Sequence, residues 1–156
     1  MSEKILAEVK PSQLKQAFGI GGLVFLGLLL IWVGITAPTR SYLGQIVLIL
    51  AGAGGMWFAY RMYVATSVSI ELTETELRES SGRILTKLTN INRVDRGLFA
   101  FKPTNGFVVY LDQPAERSWS PGLWWCTGRK IGIGGITAAH QTKFMAEILI
   151  SRLKPK

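Results

Sequence analysis

Cys126 and His140 are the only cysteine and the only histidine in the 156-residue sequence, and that bounds the chemistry open to the chain. A zinc site draws three or four ligands from Cys, His and carboxylate, and a disulfide within the chain needs a second cysteine. The carboxylates that do cluster, Glu71, Glu74 and Glu76, stand in the stretch Glu71-Leu72-Thr73-Glu74-Thr75-Glu76, with neither His nor Cys beside them. They read as a solvated turn. No Ser-His-Asp relay can be assembled without His140, which falls in the first turn of the last amphipathic segment, where the helix dipole disfavours a positive charge. Cys126 follows two tryptophans in an apolar run, the setting of a buried, inert thiol. Gly132-Ile133-Gly134-Gly135 starts like a dinucleotide fingerprint, but the third glycine would fall on Thr137 and no strand-helix-strand unit surrounds it. A turn into the last helix accounts for these glycines, with a weak anion site at that helix start left open. Neither catalytic residues nor a cofactor nor a metal is expected.

Aromatic residues offer binding rather than reaction. Trp119-Ser120-Pro121-Gly122-Leu123-Trp124-Trp125 holds three tryptophans in seven residues around a Pro-Gly turn. On a regular strand Trp124 and Trp125 point to opposite faces, so at least one is expected outside the core. Trp119, Leu123, Trp124 and Trp125 are therefore the candidate partner-binding residues, with filling of the interior as the competing role for one or two of them.

The elements that must position these residues fall into two kinds. Between Lys15 and Arg40 lie 24 uncharged residues, and between Arg40 and Arg61 another 20. A helix rising about 1.5 Å per residue needs roughly 20 apolar residues to cross a hydrocarbon core of about 30 Å. Residues 17–37 and 42–60 are the expected spans of a transmembrane hairpin over residues 16–63, turning at Pro38-Thr39-Arg40-Ser41, after an N-terminal segment of residues 1–15. A cleaved signal peptide has a shorter apolar region and no second span, and a soluble domain this small could not bury two such helices. Ala51, Gly55 and Ala59 recur every four residues on the second span, small enough to let another helix approach; that helix is either the first span or a partner's.

Lys4, Lys10 and Lys15 precede the first span, Arg40 alone sits in the turn, and Arg61, Arg78, Arg83 and Lys87 follow the second. That imbalance predicts a two-pass protein of the cell inner membrane with both termini cytoplasmic. The formal charge of +8 is spread along the chain: residues 66–156 hold thirteen basic and eight acidic residues, or +5. Lys15, Arg61, Arg93, Arg96 and Lys102 are the candidate contacts to anionic lipid. Nucleic acid is not an expected partner, because no segment carries a dense basic run.

From residue 64 the pattern changes to short alternating runs. Strands are expected at 64–72, 77–80, 83–89, 97–101, 107–111, 123–126 and 129–133, the fourth introduced by Ile91 and Val94, with turns at Thr73-Glu74-Thr75, Ser81-Gly82 and Lys102-Pro103-Thr104-Asn105-Gly106. A helix closes the chain, with Thr137 as N-cap and Met145, Leu149 and Leu153 inward, next to Ala146 and Ile150.

About seven antiparallel strands and a terminal helix, the opening hairpin Ile70-Glu71-Leu72-Thr73-Glu74-Thr75-Glu76-Leu77, its continuation Ser81-Gly82-Arg83, the segment Leu88 to Val94 and the late Gly128-Arg129-Lys130-Ile131 together resemble the bacterial pleckstrin-homology-like (PH-like) domain proteins, many of which carry a transmembrane hairpin. The resemblance covers roughly the last 90 residues and implies a cytoplasmic PH-like β-barrel over residues 64–156, capped by its C-terminal helix. Relatives that bind inositol lipids do so through basic residues between the first two strands, where this chain has Glu71, Glu74 and Glu76 and only Arg78 as a nearby cation; a phosphate cluster would be repelled there. What the resemblance implies is a non-enzymatic, membrane-anchored adaptor or accessory subunit of another integral membrane protein or complex. The alternative is a module that binds anionic membrane lipids and organises the membrane.

Overall fold

In a computed structural model, residues 4–37, 41–97 and 103–153 are described. They form two compact units, Gln13–Val64 and the remainder, in which the chain up to Ser12 joins the chain from Ala65 onward.

The helical unit holds α1 (Gln13–Thr36) and α2 (Tyr42–Ala65), both long and apolar enough to cross a membrane. Each extends beyond the span read from the sequence, through residues that carry Lys15 on α1 and Arg61 on α2. The expected turn lies, apart from Ser41, outside the described residues. Glycines set the contact between the two helices. A Cβ placed on Gly27 would stand 2.9 Å from the Gly52 carbonyl oxygen, and one on Gly52 would stand 2.6 Å from that of Gly27. The backbones meet where neither has a side chain. Gly34 packs likewise against Ile49 and Leu48. Of the two helices only Gly27, Gly34, Gly52 and Ala59 are buried, while Phe18, Phe25, Trp32, Leu43, Leu50, Trp57 and Tyr60 face outward.

The second unit is built from nine short strands in two antiparallel sheets, followed by α3 (Ala139–Arg152). The first sheet runs in the order β1 (Ala7–Val9), β2 (Ile70–Leu72), β3 (Glu76–Glu79), β4 (Ile84–Lys87). The second contains β5 (Ile91–Asp95), β6 (Phe107–Leu111), β7 (Ser118–Ser120), β8 (Trp124–Cys126) and β9 (Lys130–Ile133), in the spatial order β5-β6-β9-β8-β7. In that sheet β7, β8 and β9 form a meander whose last strand returns beside β6, a Greek-key arrangement. The expected barrel of about seven strands is thus corrected to nine strands in two sheets, with no closed barrel among the described residues.

Three of the nine were not anticipated. β1 lies ahead of the helical hairpin and pairs with β2 beyond it, Ala7 with Leu72, Glu8 with Glu71 and Val9 with Ile70. The same segment is tied to the entrance of α3 by Ser12 N–H donating to the Ile136 carbonyl (2.8 Å) and Lys10 N–H donating to Gln141 Oε1 (2.9 Å). β7 is the second. The third is Ile91–Asp95, expected only to lead into a strand at 97–101, of which residues 98–101 lie outside the described residues. The strand expected at 64–72 shortens to Ile70–Leu72 because α2 continues to Ala65.

Alternation builds the core. Val9, Ile70, Leu72, Leu77, Phe107, Val109, Leu111, Leu123, Trp124, Ile131 and Ile133 point inward, and α3 contributes Met145, Ala146 and Leu149. Ile150 is exposed rather than inward, since it follows Leu149 by about 100° around the helix. The residue at the N-cap position is Ala138, and its side chain does not cap; Thr137 is buried and pairs through its backbone with Pro11.

Candidate functional site

The outer face of the second sheet gathers the residues most suited to binding. Register places Arg93 opposite Tyr110 and Tyr110 opposite Lys130, across three neighbouring strands. The Arg93 guanidinium stands 4.2 Å from the Tyr110 ring centroid and the Lys130 ammonium 5.4 Å from it, so one ring is bracketed by two cations. Such contacts favour the cation's position over the ring face. Farther along the same face Trp119 on β7 pairs with Trp125 on β8, which pairs with Gly132 on β9. A Cβ on Gly132 would collide with the Trp125 indole, so this glycine gives the ring a place to lie. Asp95 shares the face and accepts a hydrogen bond from Gly97 N–H (2.7 Å).

The four aromatic-stretch candidates divide sharply. Leu123 is fully buried and Trp124 is 3 % exposed, whereas Trp125 is half-buried and Trp119 is 58 % exposed. Trp124 Nε1–H donates to Glu79 Oε1 (2.6 Å), and Ser81 Oγ–H donates to Glu79 Oε2 (3.0 Å), so the buried carboxylate is satisfied at both oxygens. Arg83 covers the outer side of Trp124, 5.2 Å from its centroid. Trp124 and Trp125 thus take opposite faces, as alternation requires.

Two glutamates of the first hairpin, Glu71 and Glu76, are paired with Arg78. Arg78 Nε–H donates to Glu71 Oε2 at 3.1 Å, and its Nη1 lies 3.6 Å from Glu76 Oε1. On β1, Glu8 accepts from Ser69 Oγ–H (2.7 Å) and meets Lys10 Nζ at 3.1 Å. The Ser69 hydroxyl and, next, Lys10 hold the Glu8 carboxyl below the ordinary glutamate range, outweighing the opposing effect of its burial.

Of the residues proposed for lipid contact, Arg93 stands on the aromatic face. Arg96 pairs with Glu147 at 3.4 Å, Lys15 and Arg61 lie on the helices with Arg61 5.6 Å from the Trp57 centroid, and Lys102 is outside the described residues. In the helical unit Ala59 is buried, Gly55 is half-buried and Ala51 is exposed. Cys126 is buried and His140 is exposed in the first turn of α3. Among the described residues no three His, Cys, Asp or Glu side chains converge. The glycine-rich turn has committed its amides: Gly134 N–H donates to Leu123 O, Gly135 N–H to Thr104 O and Ile136 N–H to Gly122 O, leaving none of these three for an anion. Tyr110 and Lys130 escaped the sequence reading because only cross-strand register brings them to Arg93.

No protein-family model, curated protein or solved structure matches the chain.

Proposed function

We propose that the chain is a non-catalytic, membrane-anchored adaptor or accessory subunit, in which the helical hairpin holds a PH-like β unit at a membrane where it engages another integral membrane protein. The observation that carries this reading is the pairing of β1 with β2. Strands on either side of the hairpin can share a sheet only if both flanks lie on the same side of the bilayer, which an even number of crossings provides. The excess of Lys and Arg on those flanks over the single Arg40 of the turn favours the cytoplasmic side of a bacterial inner membrane. Two packed sheets and a terminal helix are the coarse features that support likeness to the PH-like proteins. Trp119, exposed beside Trp125, is the side chain best suited to anchor a protein contact.

The test uses the full chain purified in mild detergent. Trp119→Ala should release a co-purifying membrane protein without lowering the yield of folded chain. A complement unchanged by this substitution would refute the role given to Trp119. Labelling of intact cells should reach a cysteine placed at Ser41 and miss one placed at Lys156; the reverse pattern would refute the orientation. A second reading, an anionic-lipid-binding module that organises the membrane, is favoured by the bracketing of Tyr110 between Arg93 and Lys130.

A further inference from the structure

We infer that the outer face of the second sheet is a docking surface for an anionic bilayer leaflet, with Arg93 and Lys130 supplying the charge and Trp125 the interfacial aromatic ring. The inference rests on the hairpin being a membrane anchor and names the face by which the β unit meets lipid.

Charge complementarity is the first argument. Arg93 and Lys130 have Tyr110 as the neighbour that orients them, and among the described residues neither forms an ion pair with a carboxylate. Arg78 and Arg96, by contrast, are held by Glu71, Glu76 and Glu147. Asp95, a carboxylate on the same face, accepts a backbone N–H. Two cations raised on a ring face, with no ion-pair partner among the described residues, attract an external anion.

Shape is the second. None of these residues lines the groove of about 540 Å³ beside β4 or the polar recess formed by Arg96, Asn105, Thr142 and Lys143. The face offers a broad row of rings and cations, which suits a layer of headgroups better than one enclosed headgroup. Tryptophan, apolar in body and polar at its N–H, is at home at that boundary. Anchoring is the third. A chain whose two long helices lie in the bilayer keeps its β unit near the headgroups permanently, so a weak face contact is favoured by effective concentration.

The experiment uses the full chain in nanodiscs of phosphatidylcholine alone or with about one third phosphatidylglycerol, which carries the surface potential required. A nitroxide is attached at Thr127→Cys, an exposed site two residues after Trp125, while the native Cys126 is buried. Collision with a water-soluble nickel chelate is compared with collision with oxygen, which concentrates in lipid. The docked population should be roughly 30-fold higher in anionic discs, the factor expected from two well-placed cations. It should be lost in about 1 M salt, where screening acts within about 3 Å, and lost in Arg93→Glu/Lys130→Glu. Trp125→Ser, which leaves the charges in place, should halve the protection or more.

Equal nickel access in both disc types overturns the inference and leaves the anchor reading standing. A chain that fails to enter discs overturns both. If the label stays aqueous in anionic discs while the charge reversal releases a co-purifying membrane protein, the face belongs to a protein partner and the lipid assignment is wrong.

Discussion

The outer faces of the two sheets use their charges in opposite ways. On the first, Glu8, Glu71, Glu76 and Arg78 stand in adjoining strands, and hydrogen bonds and ion pairs close them on one another and on Ser69 and Lys10. On the second, Arg93 and Lys130 rest against Tyr110, next to two tryptophans. Charge density alone would have pointed to the glutamate hairpin as the reactive surface. Pairing shows that it is the quieter one, because a carboxylate that already holds an arginine has little field left for a visitor. A cation over a ring keeps most of its own.

The largest effect that sharpens this contrast is expected from the residues beneath the second face. Trp124→Ala removes a core ring and leaves Glu79 buried without its indole donor, so unfolding of the full chain in detergent should be easier by about 3–5 kcal/mol. Trp119→Ala, on the exposed side of the same sheet, should change stability by no more than about 0.5 kcal/mol. Comparable losses for the two would show that inner and outer tryptophans had been mistaken for one another.

Gly132→Ala comes next. Its methyl group occupies the place of the Trp125 indole, and the cost of overpacking is about 1–3 kcal/mol, together with a change in tryptophan fluorescence. An unaltered spectrum would mean that the ring does not lie over the glycine. Arg78→Met should cost about 1 kcal/mol by leaving Glu71 and Glu76 unpaired, whereas Arg93→Met should cost only a few tenths. Equal costs would erase the distinction between the faces.

The smallest effect is titration of Glu8. Its folded pKa lies below its unfolded one, so its contribution to docking β1 is complete above the ordinary glutamate range and disappears as the pH falls through the lowered value. Amide exchange at Ala7–Val9, corrected for intrinsic rate, should accelerate on acidification, and less so in Ser69→Ala. Acid-insensitive protection of those amides would break the link.

Long-period signals were legible in the sequence and short ones were not. Twenty or more uncharged residues marked α1 and α2, and the short apolar run Phe107–Leu111 directly after the Pro103-Thr104-Asn105-Gly106 loop marked β6 to the residue. β1 is three residues, Ala7-Glu8-Val9, and its hydrophobic partners are more than sixty positions away, so no local window registers it. Thr66, Val68, Ile70 and Leu72 alternate, yet the chain becomes extended only at Ile70, since the preceding helix runs on to Ala65. For the binding face, the tryptophan stretch drew attention to the right sheet but to two residues inside it. The Tyr110 arrangement needed the register of β5, β6 and β9, which is a property of pairing rather than of any one segment.

β1 also sets a timetable. Val9 is made early and Ile70 sixty-one residues later, a delay of roughly 3–12 s at ordinary rates of synthesis. Throughout that interval the inner edge of the first sheet does not exist, and Ala7 and Val9 have nothing to cover. When β2 is finally made, its pairing with β1 draws together the two ends of everything synthesised between them. β1 therefore waits for its partner until both helices have been made, and it acts as a clasp: if the two helices cross a bilayer, insertion of only one of them would leave β1 and β2 on opposite sides and their pairing would not form.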